Sequence, residues 1–443
     1  MSAAGALPPP AGWHRLHPLS PLIRAGRALI GLGVIFGGTL FNTAQRGRAG
    51  FVGHLVTAAI LVGLGVVSWL VTRWRVQDGV LRIETGLIRR QSLRFPLSQL
   101  QAIDTVRPGL ARVFGLSELR LRMGGSTGTS GRLAYLTSAE AESLRGQLLA
   151  LAAGTGVHTA EGAETVLISV PTARLVASIV LSRPALIAVV VMVGIVVAEL
   201  AAPSAAVAVL GSSGAVGLAL ARVLWQRFNS GYRLTVAEAA DGLRVRSGLV
   251  ETTAETIPRG RVQAVRMIEP LLWRPLGWCR VEVDVSGRQR RGEENAAEGR
   301  ELRAVLPVGS HAEAQWLLSR ILPDAPVDRA PPPARARLTS PFRFRNLAWG
   351  QTDTCAVTTT GRLAKTTSWV PLQKVQSLRL VQGPVQRRLR LATIHLDTAG
   401  RTVRAELTDR DEGEAYRLLS DLTARCRTAR RLDRPVIRQR ALP

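Results

Sequence analysis

The amino-acid sequence predicts a membrane protein of the α+β class, with four transmembrane helices in two hairpins and three antiparallel β-modules, each closed by a C-terminal helix. Three observations predict this fold. The 443-residue chain is 46% hydrophobic but only 20% charged, and its mean hydropathy of +0.13 leans towards the membrane class. Its longest apolar stretches come in two pairs. The polar regions outside them contain a threefold repeat that aligns without gaps.

The first pair of apolar stretches predicts one helical hairpin. Residues 51–71 carry one histidine and no formal charge, and about 20 such residues are enough to cross the hydrocarbon core as a helix. Residues 28–41 reach span length only if the helix extends over 25–44, with Arg24 and Arg27 directed outward. The proline-rich start, MSAAGALPPP, does not fit a signal peptide.

The second pair, residues 184–200 and 205–225, predicts another hairpin because the linker between the two stretches is very short. Arginines flank both pairs on the outer side, whereas the loop of the second hairpin has no Arg or Lys. Arg46 and Arg48 lie in the loop of the first hairpin and weaken its signal. The positive-inside rule then predicts a multi-pass cell-membrane protein whose polar modules and termini are all cytoplasmic.

The repeat occupies residues 95–125, 257–287 and 370–400. Each copy opens with an apolar residue followed by proline, has a glutamine five residues later, and has an arginine eleven residues after that glutamine. An apolar-x-apolar triplet follows, with glycine at its centre in the first two copies and Arg390 in the third. The repeated residues that we expect to be structural are Pro96, Gln101, Gly115, Pro258, Gln263, Gly277, Pro371 and Gln376.

Period-two alternation within each copy, as at Leu119, Leu121 and Met123, predicts antiparallel strands with one buried face. A helix closes each module. Capping-box sequences begin the first two helices at Thr137 and Ser310, and Thr408 or Asp409 is expected to cap the third. One helix would thus cover an open side of each β-sandwich or barrel.

These motifs resemble the bacterial pleckstrin-homology-like (PH-like) family, bPH2 or DUF304, whose domain occurs in membrane proteins of the YdbS and YdbT type. The matching residues are the Gly-Leu pairs at Gly86 and Gly248, the apolar-Pro pairs, the Gln-Ala or Gln-Ser steps, and segments 113–116 and 275–278. The resemblance covers all three polar regions and the paired spans. It implies curved antiparallel sandwiches closed by a C-terminal helix, and it implies no reaction.

The predicted domain organisation follows from these features. It comprises an N-terminal cytoplasmic segment (1–24), hairpin 1 (25–71), module 1 (72–153), hairpin 2 (175–225), module 2 (228–323), a Pro- and Arg-rich linker (324–345), module 3 (346–428) and a basic tail (429–443).

The sequence contains no catalytic motif, so we expect no enzyme activity and no cofactor or metal. Acidic residues on the alternating strands are expected to face solvent: Asp104, Glu118, Asp284 and Asp397. The repeated glutamines are expected to bond turn backbone rather than a ligand. Leu276, in the second triplet, is expected in the sandwich core.

The net charge is +26, and Lys365 and Lys374 are the only lysines. An arginine-biased composition explains this charge without any function, but basic side chains beside an anionic leaflet also attract it. Candidate contacts are Arg387, Arg388, Arg390, Arg430 and Arg431. Because aromatic residues do not interleave with the basic clusters, the sequence argues against nucleic acid as a partner.

The function that the sequence favours is a polytopic, non-catalytic scaffold. Its modules would contact the lipid bilayer and a membrane or cytoplasmic protein, for example a paired PH-like membrane protein. The alternative is an accessory subunit of a membrane transporter or export system. A pathway is hard to build from four spans that lack a mid-membrane charge.

Overall fold

The structure is a computed structural model of the chain, and it divides into two compact units. One unit contains Met1–Thr165 and Glu238–Thr256, and the other contains Val166–Ala237 and Ile257–Pro443. The residues that the structure describes are 12–23, 26, 59–60, 63, 66–67, 69–77, 79–86, 91–97, 100–123, 130–153, 165–201, 206–239, 242–258, 260–285, 303–326, 328–400 and 403–432.

The β-strands in the described residues are, in chain order, β1 (His14–Arg15), β2 (Arg73–Gln77), β3 (Val80–Thr85), β4 (Gln91–Pro96), β5 (Leu100–Arg107), β6 (Leu116–Met123), β7 (Ser130–Thr137), β8 (Thr165–Ser169), β9 (Thr235–Ala239), β10 (Gly242–Ser247), β11 (Thr252–Pro258), β12 (Val262–Pro270), β13 (Trp278–Val285), β14 (Arg303–Ser310), β15 (Ala348–Gln351), β16 (Cys355–Thr360), β17 (Ala364–Pro371), β18 (Val375–Val381), β19 (Leu391–Thr398) and β20 (Ala405–Asp411).

The α-helices are α1 (Gly109–Val113), α2 (Ser138–Ala153), α3 (Thr172–Val180), α4 (Arg183–Ala201), α5 (Ala206–Gly231), α6 (His311–Ile321), α7 (Pro384–Arg388) and α8 (Glu412–Leu432). Short 3₁₀ helices occur at Leu271–Leu276, Ala334–Arg337, Phe344–Asn346 and Leu372–Lys374.

The first unit contains a sheet of order β1-β2-β3-β4 and the strand run β7-β6-β5-β11-β10. All pairings with a described register are antiparallel. Side chains from β2–β7 and α2 form one buried core, which includes Trp74, Leu81, Phe95, Leu119 and Leu148. Module 1 is therefore two three-stranded layers closed by a helix, which is the sandwich that the sequence predicts.

The second unit contains a sheet of order β14-β13-β12-β17-β16-β15 and another of order β18-β19-β20. Module 3 repeats the plan of module 1, because β15–β17 and β18–β20 share a core with α8 that includes Trp349, Val370, Ile394, Leu407 and Cys426. In module 2, β12–β14 and α6 belong to this unit, whereas β10 and most of β11 belong to the first.

The predicted second hairpin appears as the helices α4 and α5, which contact each other and are separated by four residues. Most of the predicted first hairpin lies outside the described residues. Among the described helices, none alone is long and apolar enough to cross a bilayer. One pair, Thr172–Val180 with Arg183–Val197, would suffice together but is bent by 50°.

Two local expectations from the sequence, the burial of Leu276 and the exposure of the strand carboxylates, are wrong. Leu276 is 48% exposed, because the chain turns at Gly277 in the left-handed conformation and only then enters β13. The carboxylates of Asp104, Glu118 and Asp284 are buried rather than solvated. Each lies on a strand that has a neighbouring strand on both edges. The buried Glu118 carboxylate is paired with a protein cation, since Arg120 Nε donates to Glu118 Oε1 at 2.9 Å.

The predicted capping boxes are confirmed at the first two closing helices. The third helix is capped two or three residues later than expected, by Asp411 rather than by Asp409 or Thr408. The Asp411 carboxylate accepts hydrogen bonds from the backbone N–H groups of Gly413 and Glu414, at 3.0 and 3.3 Å. Asp409 is instead buried, and its carboxylate accepts from Ser340 Oγ at 2.7 Å. The Asp411 side chain therefore satisfies donors at the start of α8.

Candidate interaction surface

One residue in each module sets where the closing helix begins. Gly115, Gly277 and Arg390 have φ angles of 67°, 63° and 50°. In each case the backbone carbonyl accepts a hydrogen bond from the first N–H of the closing helix, at 3.0, 3.2 and 3.0 Å respectively. Glycine is suited to this left-handed conformation because it has no Cβ. Arg390 adopts the same conformation despite its side chain, so the turn is a property of the module.

The repeated prolines end the third strand of each module: Pro96 in β4, Pro258 in β11 and Pro371 in β17. Proline has no N–H to donate, which is tolerated at a strand end. In modules 1 and 3, the next residue donates its N–H to the turn after the first strand. Leu97 N bonds Gly79 O and Leu372 N bonds Thr354 O, both at 2.8 Å.

The repeated glutamines differ in their surroundings. Gln263 is buried and donates from Nε2 to the Arg261 carbonyl at 3.3 Å. Gln376 is exposed, because β18 has no neighbouring strand on its second edge among the described residues. Gln101 lies on β5, and its side chain is outside the described set.

Consecutive modules are joined by pairing of β-strand edges. The fourth strand of module 1, β5, pairs with the third strand of module 2, β11, and β12 pairs with β17 in the same way. The register is identical in repeat terms: Thr253 pairs with Val106 in the first junction, and Thr366 pairs with Ile268 at the equivalent place in the second. The repeat therefore includes the way in which modules attach to each other.

A repeated arginine crosses each junction. Arg112 Nη1 donates to the Leu249 carbonyl at 2.6 Å, and Arg274 Nη2 donates to the Arg362 carbonyl at 3.0 Å. Both acceptors directly follow a left-handed glycine in the hairpin of the next module, Gly248 or Gly361. Sequence analysis missed this contact. The signals that could have found it were the fixed spacing of the arginine from the repeated glutamine and the glycine of module 3, Gly361, which is the counterpart of Gly248 although Arg362 rather than leucine follows it.

The five candidate contacts for an anionic surface are all exposed, but they do not form one patch. Arg387, Arg388 and Arg390 precede the start of α8, whereas Arg430 and Arg431 lie near its end. The 21 residues of α8 extend roughly 30 Å. The two groups are therefore separated by about the length of the helix.

The cysteine thiols lie in the interior and resist ionisation. All three cysteines are free and buried. Burial, together with Glu269 and Glu313, raises the pKa of the Cys279 thiol to about 12, and burial also raises the pKa of Cys355 to about 12. Such thiols stay protonated and unreactive near neutral pH. No group of three or more metal-binding side chains occurs within the described ranges.

The arrangement defines a class of protein built from repeated β-sandwich modules that each end in a helix. The family model for the bacterial PH domain matches the chain three times, over residues 28–152, 165–321 and 333–425. The chain therefore belongs to the bacterial PH domain family. Comparisons with curated proteins and with solved structures gave no match.

Proposed function

We propose that the chain is a multi-pass cell-membrane protein whose PH-like modules form a non-catalytic scaffold at the cytoplasmic face. The observation that carries this proposal is the apolar exposure of α4. Its solvent-exposed side chains include Ile187, Val189, Val190, Val193 and Val197, and the exposed large apolar residues of the helix have exposed fractions of 43–71%. Isolated exposed apolar residues are ordinary, but a helix that exposes this many fits a lipid environment.

The way in which the modules are joined favours a scaffold over a transport pathway through the membrane. Strand pairing joins β5 of module 1 to β11 of module 2, and it joins β12 of module 2 to β17 of module 3. An ion pair also connects the hairpin region to module 2: Arg174 Nη1 lies 2.8 Å from Glu313 Oε2, joining α3 to the N-terminus of α6. Exposed arginines such as Arg430 and Arg431 would add roughly 1 kcal/mol of attraction each beside an anionic leaflet.

A pair of single-cysteine variants tests membrane insertion. Val190 and Leu338 are each 71% exposed in the structure, so Val190→Cys and Leu338→Cys form a matched pair. In inside-out membrane vesicles, a charged maleimide should label Leu338→Cys and leave Val190→Cys unlabelled, because lipid would shield the latter. The native cysteines give little background because they are buried.

The outcome that contradicts insertion is equal labelling of the two variants in intact vesicles. Detergent extraction followed by unfolding supplies the control, since both cysteines must then react fully. Reporter fusions after Arg75, after Arg233 and at the C-terminus test the orientation, and all three should report cytoplasm. A periplasmic signal from any one of them would contradict the proposed arrangement.

A further inference from the structure

Two of the strands that end a sheet in the described part of the chain are the two halves of one junction. β4 is the third strand of module 1, equivalent to β11 and β17, and it forms the end of its sheet. β18 is the fourth strand of module 3, equivalent to β5 and β12, and it also ends its sheet. Each internal junction pairs a fourth strand with a third strand, so the chain presents one unused edge of each kind.

The exposure of these strands matches unused junction surfaces. Glu255 and Ser368, on the third strands of modules 2 and 3, are 7% and 3% exposed, whereas Leu93 at the same repeat position on β4 is 37% exposed. On β18, Val381 is 44% exposed, although Val106 at the equivalent place on β5 is 2% exposed. Pairing with a neighbouring module is what buries these positions in the internal junctions.

We propose that copies of this chain associate head to tail, with β18 of one copy pairing antiparallel with β4 of the next. Carrying over the register of the two internal junctions places Val381 opposite Gln91. The occupant is a second copy because the chain itself supplies the complementary edge. The inference deepens the proposed scaffold by naming a partner for it.

The arginine that crosses each internal junction has a third counterpart. Arg387 occupies the repeat position of Arg112 and Arg274, and it is exposed. Among the described residues, its guanidinium has no hydrogen-bond partner, whereas the other two donate to the next module. Arg387 is therefore assigned to the same contact with a second copy, rather than only to the anionic surface that its charge suggested.

One difference makes the third junction weaker than the internal ones. Leu271 donates its N–H to the Leu363 carbonyl across the second junction at 2.8 Å. Pro384 stands at the equivalent place in module 3 and has no N–H. An intermolecular junction also pays for association, which covalently linked modules avoid. The association should thus be reversible and concentration-dependent. Because the two edges differ, the contact is heterologous and can propagate.

Disulfide trapping between two single variants tests the register. Val381→Cys chains are mixed with Gln91→Cys chains in detergent under mild oxidation, and a mixed dimer should form. The matched control replaces Gln91→Cys with Leu93→Cys, which is exposed on the same strand but displaced by two residues. Directly opposed residues approach closely enough for a disulfide, whereas diagonal neighbours are about 7–8 Å apart at Cα.

Substitution of the junction arginine gives the second arm. Arg387→Ala should weaken self-association of the otherwise unmodified chain by roughly tenfold, judged from hydrogen bonds to charged groups, when measured by analytical ultracentrifugation in detergent. Arg388→Ala removes the same charge from the adjacent exposed residue, which has no arginine counterpart in the other repeats. It should leave association unchanged, which separates the junction contact from general charge effects.

Several results would overturn the proposal. The chain could remain monomeric at all concentrations, the two cysteine pairs could cross-link equally, or Arg387→Ala and Arg388→Ala could behave alike. Trapping of β18 with a different PH-like protein, without trapping of a second copy, would also overturn it. These measurements use detergent-solubilised chain, so their failure is distinguishable from failure of membrane insertion, which the vesicle labelling tests.

Discussion

Of the three left-handed residues whose carbonyls accept the first N–H of a closing helix, Arg390 is the one that is not glycine, and its replacement by glycine should stabilise module 3. A left-handed conformation costs an L-residue about 1–2 kcal/mol. Glycine avoids this cost but loses about 0.5–1 kcal/mol through the greater freedom of the unfolded chain. The net gain for Arg390→Gly is therefore about 0.5–1 kcal/mol. The carbonyl that bonds Glu412 is unchanged by the substitution.

Cys426 is a native reporter of this effect. Its side chain is 2% exposed and belongs to the core that α8 forms with the sheets of module 3. Alkylation requires the module to open, and when opening and closing are fast its rate follows the open population. A gain of about 0.5–1 kcal/mol should slow labelling of Cys426 about two- to fivefold, while Cys279 in module 2 keeps its rate.

Arg388→Gly is the matched control for this prediction. It removes the same charge two residues earlier, but Arg388 lies in helix α7, where glycine is unfavourable. Labelling of Cys426 should become faster rather than slower. If Arg390→Gly leaves the rate unchanged or accelerates it, the left-handed turn is not a source of strain, and the argument from the repeated glycines fails.

Three further predictions concern stability. Leu391→Asp should destabilise module 3 by several kcal/mol because Leu391 is fully buried, whereas Leu276→Asp should be tolerated; proteolysis of the intact chain compares them. Gly361→Ala should accelerate alkylation of module 3, because φ is 102° and a Cβ would meet the Ala364 carbonyl. Burial raises the pKa of Glu313, but bonds from Ser310 and Arg174 outweigh it, so the pKa is lowered. Because folding depresses this pKa, the stabilisation is present above about pH 4.5 and lost as pH falls below it; the melting temperatures of wild type and Glu313→Gln should converge there.

The sequence predicted the number of modules, their strands and the starts of two closing helices, because those features depend on local patterns. Alternation of apolar residues identifies a strand wherever it lies, and a capping box needs only four residues. The prediction for Leu276 failed because an apolar residue beside a left-handed turn faces outward, and the sequence did not show where the turn fell. The buried carboxylates of Glu118 and Asp284 were also missed, since alternation alone does not reveal that a polar face is covered.

The pairing of modules could not be predicted from any one repeat. A strand sequence such as that of β12 specifies which of its faces is apolar, but it does not specify a neighbour on its second edge. That neighbour comes from another repeat about one hundred residues away along the chain. The information became visible only when two junctions with the same register could be compared. Repetition thus supplied the evidence that a single module would have lacked.

Edge pairing also accounts for why the modules occur in series. An open strand edge presents unpaired N–H and C=O groups and invites association with other chains. The third and fourth strands of each PH-like module here present such edges, and joining modules through these two strands covers them inside the series but leaves one of them uncovered at each end. Adding modules cannot remove these last two edges, as in other repeat proteins whose ends need special protection. On β18 the cross-strand pair between Arg379 and Asp397, with Nε–Oδ2 at 2.6 Å, places charge beside the open edge. Such charge limits indiscriminate pairing while leaving the edge available to a partner that matches its register.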